Sequence, residues 1–231
     1  MQRFASTRIP GPLGARIGFQ SHGLEINRKP LRRAAFTRID RLDFQLSLSA
    51  RRMSPSLIDQ SMASLCGPAS LMYLVASDNP DLFRQYATDL YETGRAKLGS
   101  LRVSPGEDCR TYNPFGKIAA ADWVTLASLR DSENAFFDYD DADDAFAGIT
   151  LPGQLADWLE SAGYHNVSNE TNLYFTKGED DFREAANLLS EGYRVCLFID
   201  LNGVDSGSHR GHLRQISTTA NHWVEVVQTK E

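Results

Sequence analysis

The sequence predicts an α+β fold in which helices come first and two antiparallel strands come last. Segments with helical apolar periodicity and helix-type start and stop residues fill most of 66–193. Two short apolar, β-branched runs follow near the C-terminus, separated by a polar, Gly-containing loop about twenty residues long. Helices followed by strands are typical of the α+β class.

The first of these helices is predicted to run from Cys66 to Ala76. Pro68 suits a first helical turn, and the segment ASLMYLVA is apolar on nearly every face, which is typical of a buried helix. The second is amphipathic, with Pro80 near its start and Gly94 at its stop. Three further helices are predicted in GKIAAADWVTLASLRDS (116–132), TLPGQLADWLESAGY (150–164) and GEDDFREAANLLSEGY (178–193).

Residues 94–115 are rich in Gly and Pro and are predicted to form a loop with one short strand. The two late strands are RVCLFID, from Arg194 to Asp200, and HWVEVVQT, from His222 to Thr229. Within Trp223 to Val227 the second run is apolar except for Glu225.

The composition is that of a soluble protein with a real core. Of 231 residues, 42% are hydrophobic and 23% are charged. No run approaches the 18 apolar residues of a membrane span, and no apolar stretch follows the first charges as in a Sec signal peptide. We therefore expect a protein that is cytoplasmic or is secreted without a Sec signal, as delivered effectors are.

The charge is divided unevenly along the chain. Residues 1–60 carry ten Arg and one Lys against four acidic residues, whereas the whole chain has a net charge of -6. We predict a basic, partly flexible N-terminal arm over 1–50 and a domain over 51–231, with the amphipathic piece RIDRLDFQLSLSA ordering against the domain.

Such an arm suits a secretion or transit-like signal, a basic patch, or docking to an immunity, chaperone or delivery partner. Nucleic acid is a disfavoured partner because the larger part of the chain is acidic and would repel phosphate.

Cysteine usage argues against disulfides and metal sites. Cys66, Cys109 and Cys196 are odd in number and widely spaced, so neither a disulfide framework nor a zinc knuckle is predicted. The acidic run DYDDADDAF lacks the Gly and Glu of a calcium loop, and His209 and His212 lack a second ligand cluster. No metal or cofactor is predicted.

Cys66 is instead a candidate nucleophile. A thiol attacks a carbonyl as thiolate, and a helix N-terminus together with a nearby imidazolium can lower its pKa from about 8.5 to roughly 3.5–7.5. Cys66 stands at the predicted helix start, and His222 stands at the head of an apolar strand. A core cysteine and a strand-edge histidine are the alternative interpretation of each residue taken alone.

Together these patches resemble the papain-like cysteine peptidases. Gln60 lies five intervening residues before Cys66-Gly67-Pro68-Ala69, and Asn221-His222-Trp223 comes late on a strand. The likeness is closest to the bacterial branch of bacteriocin-leader-processing peptidases and secreted effector proteases. It implies a helical half carrying the Cys and an antiparallel sheet carrying the His.

The resemblance also implies roles for these residues. Cys66 is the nucleophile, His222 is the base, and the Gln60 side chain forms an oxyanion hole with the Cys66 N–H. The substrate is then a peptide, a protein or another amide.

One member of the family pattern is missing, because the chain ends at Glu231, before the strand that carries the residue orienting the histidine. Three explanations stand: a C-terminally truncated chain, which is favoured; an orienting group at Asp200 or Asn202; or a catalytically dead relative. We accordingly expect a cysteine peptidase or amidase, in the manner of a bacterial effector, toxin or virulence protein. The alternatives are a non-catalytic binding module on a degenerate papain-like fold and a deamidase or transglutaminase of the same superfamily.

Overall fold

The computed structural model of the protein describes residues 33–61, 64–133, 150–171, 179–199 and 222–226. The helices are α1 (Arg41–Met53), α2 (Cys66–Asp78), α3 (Pro80–Thr93), α4 (Glu107–Thr111), α5 (Ala120–Asp122), α6 (Ser128–Glu133), α7 (Pro152–Ala162) and α8 (Glu179–Ser190), with a 3-10 turn at Pro55–Leu57 and a π-helix at Trp123–Ala127 joining α5 to α6. The strands are β1 (Ala96–Leu98), β2 (Leu101–Val103), β3 (Val195–Ile199) and β4 (His222–Val226). The predicted α+β class is confirmed.

None of the helices in these described ranges combines the length and the apolar character needed to cross a lipid bilayer.

Helix α1 contains most of the amphipathic piece RIDRLDFQLSLSA, which is predicted to order against the domain, and extends three residues beyond it to Met53. Asp40 caps it by accepting hydrogen bonds from backbone N–H groups of its first turn. Phe44 is buried and stacks on Tyr91 of α3, with ring centroids 4.1 Å apart. Residues 33–50 of the predicted arm therefore contribute to the core, and residues 1–32 lie outside the described residues.

Helix α2 lies at the centre of the core and carries Cys66 at its N-terminus. It contacts α3, α7, the π-helix and strand β4. A helix that is apolar on all sides is stable only where neighbours cover every side, and α2 has such neighbours. It continues two residues beyond the predicted end at Ala76, to Asp78.

Helix α3 begins and ends where its capping residues predict. The side chain of Asn79 accepts a hydrogen bond from the N–H of Leu82 at 3.0 Å, and Pro80 occupies the first turn. Gly94 ends the helix with φ of 70°, a left-handed conformation that favours glycine.

The segment after α3 is more ordered than predicted. Instead of one short strand, β1 and β2 form an antiparallel hairpin, with Leu98 opposite Leu101. Gly99 turns the hairpin with φ of 61°, and α4 follows. The side chains of Leu98 in β1 and Val103 in β2 are buried in the core, which explains why this Gly- and Pro-rich stretch still forms a strand pair.

Strands β3 and β4 are antiparallel, as predicted, and their register decides the geometry of the site. Phe198 lies opposite Trp223, with ring centroids 4.7 Å apart, and Cys196 lies opposite Glu225. Because side chains alternate between the two faces of a strand, Trp223 and Glu225 share the face that packs on α2. His222 belongs to the opposite face.

Candidate active site

Cys66 is the first residue of helix α2, and its thiol is nearly covered, with 7% of the residue exposed. Two backbone N–H groups, those of Trp223 and Gly67, donate to the sulfur, and the N–H dipole of Cys66 itself also lowers the pKa of the thiol. The helix N-terminus adds the positive end of its dipole, which favours negative charge at this point. The start of strand β4 therefore lies directly against the thiol.

Gln60 is held in the loop that leads into α2. Its side-chain Oε1 accepts a hydrogen bond from the N–H of Leu65 at 2.8 Å, and Leu65 directly precedes Cys66. The loop is tied down further by the N–H of Asp59, which donates to Asp122 at 3.3 Å. The structure thus places Gln60 beside the nucleophile candidate.

The electrostatics of the thiol contain two opposing effects. Burial raises the pKa of the Cys66 thiol, whereas the backbone N–H groups around the sulfur and, more weakly, the positive charge of Arg130 lower it. Burial prevails, so the thiol form is favoured in this structure. Nucleophilic chemistry here requires the N–H groups to stabilise a thiolate that burial alone would suppress.

Arg130 supplies the only positive side-chain charge among the described residues that contributes to this pKa. It is 6% exposed, and its Nη1 donates to Oε1 of Gln154 at 2.8 Å. Gln154 lies in the first turn of α7, four residues after Thr150, which packs against Gly67 at the start of α2. Arg130 is therefore fixed in place on the same side of the core as the thiol.

We expect Arg130→Met to raise the pKa of Cys66, because it removes a charge that favours the thiolate, whereas Arg130→Lys keeps that charge. The alkylation rate of Cys66 by iodoacetamide, followed against pH by peptide mass spectrometry, measures this. The midpoint of the curve should move to higher pH in the Met variant and less in the Lys variant. Equal midpoints in all three proteins would contradict the electrostatic role.

Thr150 packs directly onto the helix start. A Cβ built on Gly67 would lie 2.3 Å from Oγ1 of Thr150 and 2.4 Å from its Cβ, so only glycine fits at this position. The Thr150 carbonyl accepts a hydrogen bond from the indole Nε1 of Trp223 at 2.9 Å. Thr150 thereby joins the helix of the nucleophile candidate to strand β4.

His222 is in the right segment but its side chain is not joined to the thiol. It directly precedes Trp223, whose N–H donates to Cys66, yet alternation along β4 directs its imidazole to the other face. Burial lowers the pKa of His222 and favours the neutral ring. Among the described residues, no hydrogen bond or charge interaction connects His222 with Cys66.

The orienting candidates Asp200 and Asn202 lie outside the described residues. Within the ranges that the structure does describe, no group of three or more His, Cys, Asp or Glu side chains could hold a metal ion. A cavity of about 320 Å³ opens beside the loop of Gln60; its lining comprises Arg51, Asp59, Ser61, Gly116, Lys117, Ile118, Ala119 and Asp122. The cavity adjoins the site without including the thiol.

Sequence reasoning missed Trp223, Thr150 and Arg130 as parts of the site. Trp223 belongs to the Asn221-His222-Trp223 motif of the resemblance but is given no role there, and Thr150 is predicted only as a helix start. Arg130 lies within a predicted helix, and no local pattern distinguishes it from an exposed arginine. Their contacts with the helix start join positions far apart in the chain, which local patterns do not encode.

Comparisons with protein families, with curated proteins and with solved structures found no match to this chain.

Proposed function

We propose that this protein is a cysteine hydrolase of papain-like type that cleaves an amide bond in a peptide, a protein or a related substrate. Cys66 is the nucleophile, His222 the base, and Gln60 with the Cys66 N–H the oxyanion hole. The Gln60 side chain and the helix start are adjacent, as this assignment requires.

The observation that carries the proposal is the N–H of Trp223 donated to the sulfur of Cys66. Through this contact Cys66, the first residue of α2, lies against the residue that directly follows His222 on β4. Two backbone N–H groups from neighbouring residues and a helix start oppose the effect of burial and favour negative charge on this sulfur. A core cysteine has no need of such an arrangement.

The reaction then proceeds in two halves. His222 takes the proton of Cys66, the thiolate attacks the amide carbon, and the oxyanion forms opposite Gln60 and the Cys66 N–H. The carbon–nitrogen bond breaks as His222 returns the proton to the leaving amine, and water hydrolyses the resulting thioester. Loss of one oxyanion-hole donor typically costs about 2.7–4 kcal/mol of transition-state stabilisation.

The test is the alkylation rate of Cys66 in the full chain between pH 5 and pH 10, with peptide mass spectrometry separating Cys66 from Cys109 and Cys196. We expect Cys66 to alkylate faster near neutral pH than a free thiol, whose pKa is about 8.5. His222→Ala should slow it by about tenfold or more, which corresponds to one unit of pKa. His165→Ala removes an exposed histidine outside the site and serves as the matched control.

A second candidate function, a non-catalytic binding module on the same fold, is favoured by three observations at Cys66 and His222. The thiol is covered, burial raises its pKa, and the imidazole of His222 belongs to the opposite face of β4. If Cys66 alkylates no faster than a free thiol and His222→Ala changes nothing, the hydrolase proposal fails and the binding module is preferred.

A further inference from the structure

A half-buried glutamate, Glu225, lies beside the thiol on the face of β4 that packs on α2, and one of its carboxyl oxygens is fully covered. Glu225 follows Trp223 by two residues on β4, and Ser70 follows Cys66 by one helical turn on α2. The hydroxyl of Ser70, a residue that is 1% exposed, donates a hydrogen bond to the Glu225 carboxylate. The other carboxyl oxygen, Oε1, is buried and has no partner among the described residues.

The spacing of these contacts matches between the two elements. Four residues of α-helix, from Cys66 to Ser70, advance about 6 Å. Two residues of strand, from Trp223 to Glu225, advance about 6.7 Å. Helix and strand are thus joined at two points of nearly equal spacing, one at the thiol and one at the carboxyl group.

We propose that Glu225 is a positioning residue: its hydrogen bond with Ser70 fixes β4 along α2 and so holds the N–H of Trp223 on the sulfur of Cys66. A slip of β4 by one residue would turn Glu225 and Trp223 to the other face and remove both contacts. The consequence for reactivity rests on the proposed function, whereas the geometric role does not.

The groups around Glu225 favour its neutral form. Burial raises the pKa of Glu225, and the Ser70 hydroxyl and its own backbone N–H only partly oppose this. Across the sheet it faces Cys196, whose pKa burial and the Glu225 charge raise to about 12. Neither α2, β3 nor α8 contributes a positive charge to it among the described residues.

Because the pKa of Glu225 is raised on folding, its contribution to the stability of the folded protein depends on pH. Because the folded-state pKa of Glu225 lies above its unfolded value, the folded protein holds this proton more tightly than the unfolded chain. Its stabilising contribution is complete below the unfolded pKa and declines as pH rises through the folded pKa. Glu225→Gln keeps a neutral hydrogen-bonding group at every pH and should remove the decline.

The experiment uses the full chain with the variants Glu225→Gln, Glu225→Met and Ser70→Ala, and with Glu184→Gln as a control at an exposed glutamate of α8. Two readouts are needed: hydrogen exchange of the Trp223 amide, relative to amides in the middle of α2, and the alkylation rate of Cys66 against pH.

We expect Glu225→Met and Ser70→Ala each to speed exchange of the Trp223 amide, relative to α2, by about two- to tenfold, the equivalent of one hydrogen bond. Combining Glu225→Met with Ser70→Ala should speed this exchange little beyond either single variant, because both substitutions remove the same contact. In Glu225→Gln, the Trp223 amide should exchange at the wild-type rate in acid and more slowly than in the wild type at high pH. Glu184→Gln should match the wild type throughout.

The alkylation rate should follow the same order if the proposed function holds, with the wild-type rate falling below that of Glu225→Gln as pH rises. Unchanged relative exchange in Ser70→Ala and in a folded Glu225→Met would overturn the positioning role, whatever the thiol does. If exchange responds but Cys66 is unreactive in every variant, the positioning role stands and the hydrolase proposal fails.

Discussion

Replacing Gly67 by alanine should destabilise the fold strongly, because the new methyl group has no room. Its Cβ would lie within 2.3–2.6 Å of three side-chain atoms of Thr150, a residue with no exposed surface. Thr150 is branched and is held between α2 and the Trp223 indole, so it cannot swing aside. Overpacking of this kind costs typically 1–3 kcal/mol, and we expect about 3 kcal/mol or more in urea denaturation.

Gly153→Ala provides the matched control within the same region. No atom lies within 4 Å of the Cβ built at Gly153, which occupies the first turn of helix α7. Since alanine favours a helix over glycine by about 0.5–1 kcal/mol, this variant should be as stable as the wild type or more so.

Adding Thr150→Gly to Gly67→Ala should restore part of the loss, because it removes all three clashing atoms. A Gly67→Ala protein as stable as the wild type would show that the close approach of α2 to Thr150 is wrong.

Replacing Arg51 by methionine should cost about 3–5 kcal/mol of unfolding free energy, since it leaves a buried carboxylate without its counter-ion. Arg51 donates to Asp122 through Nε at 2.8 Å and through Nη2 at 2.7 Å. Asp122 is 1% exposed, and its remaining hydrogen bond comes from the N–H of Asp59 in the loop of Gln60. Without Arg51, Asp122 should hold Asp59 less firmly, so we expect the loop that precedes helix α2 to become more mobile as well.

The effect of Arg51→Met should depend on pH. Burial raises the pKa of Asp122, and the hydrogen bond and charge of Arg51 oppose that rise. Without Arg51 the pKa rises further, so the folded variant holds the proton more tightly and loses stability as pH increases through that value. The difference from the wild type in urea denaturation should therefore be larger at pH 7 than at pH 4.

Arg52→Met is the natural comparison, since Arg52 is the next residue and also pairs with an aspartate. The Arg52 and Asp81 side chains are 44% and 71% exposed, and exposed pairs contribute about 0–1 kcal/mol. Equal losses in the two variants, or a loss at Arg51 that does not change with pH, would contradict the assignment of a buried ion pair.

Much of the secondary structure could be predicted because its signals are local. Pro80 and Gly94 mark the ends of α3, and Pro152 and Gly163 mark those of α7; capping chemistry involves residues within one turn of each end. The strand pair was also predicted, since β-branched runs bounded by polar residues have few alternatives. The hairpin after α3 was not predicted, because it is stabilised by the burial of the Leu98 and Val103 side chains rather than by strand propensity.

The candidate site could be predicted only in part. Cys66 and Gln60 lie close in the chain, so their proximity follows from the helix start alone. Glu225 illustrates the limit. As a polar residue in an apolar strand it is expected to face solvent, yet Trp223 buries far more apolar area and decides which face packs inward. Alternation with a period of two then carries Glu225 inward and turns His222 outward.

The class of fold and the ends of most helices follow from the amino-acid sequence, because they depend on neighbours along the chain. Which side chains meet is set by tertiary packing. The Trp223 indole reaches Thr150 across 73 positions, and Arg51 reaches Asp122 across 71. Such contacts arise from the packing of buried faces, which depends on the shape of the whole core and has no local signature.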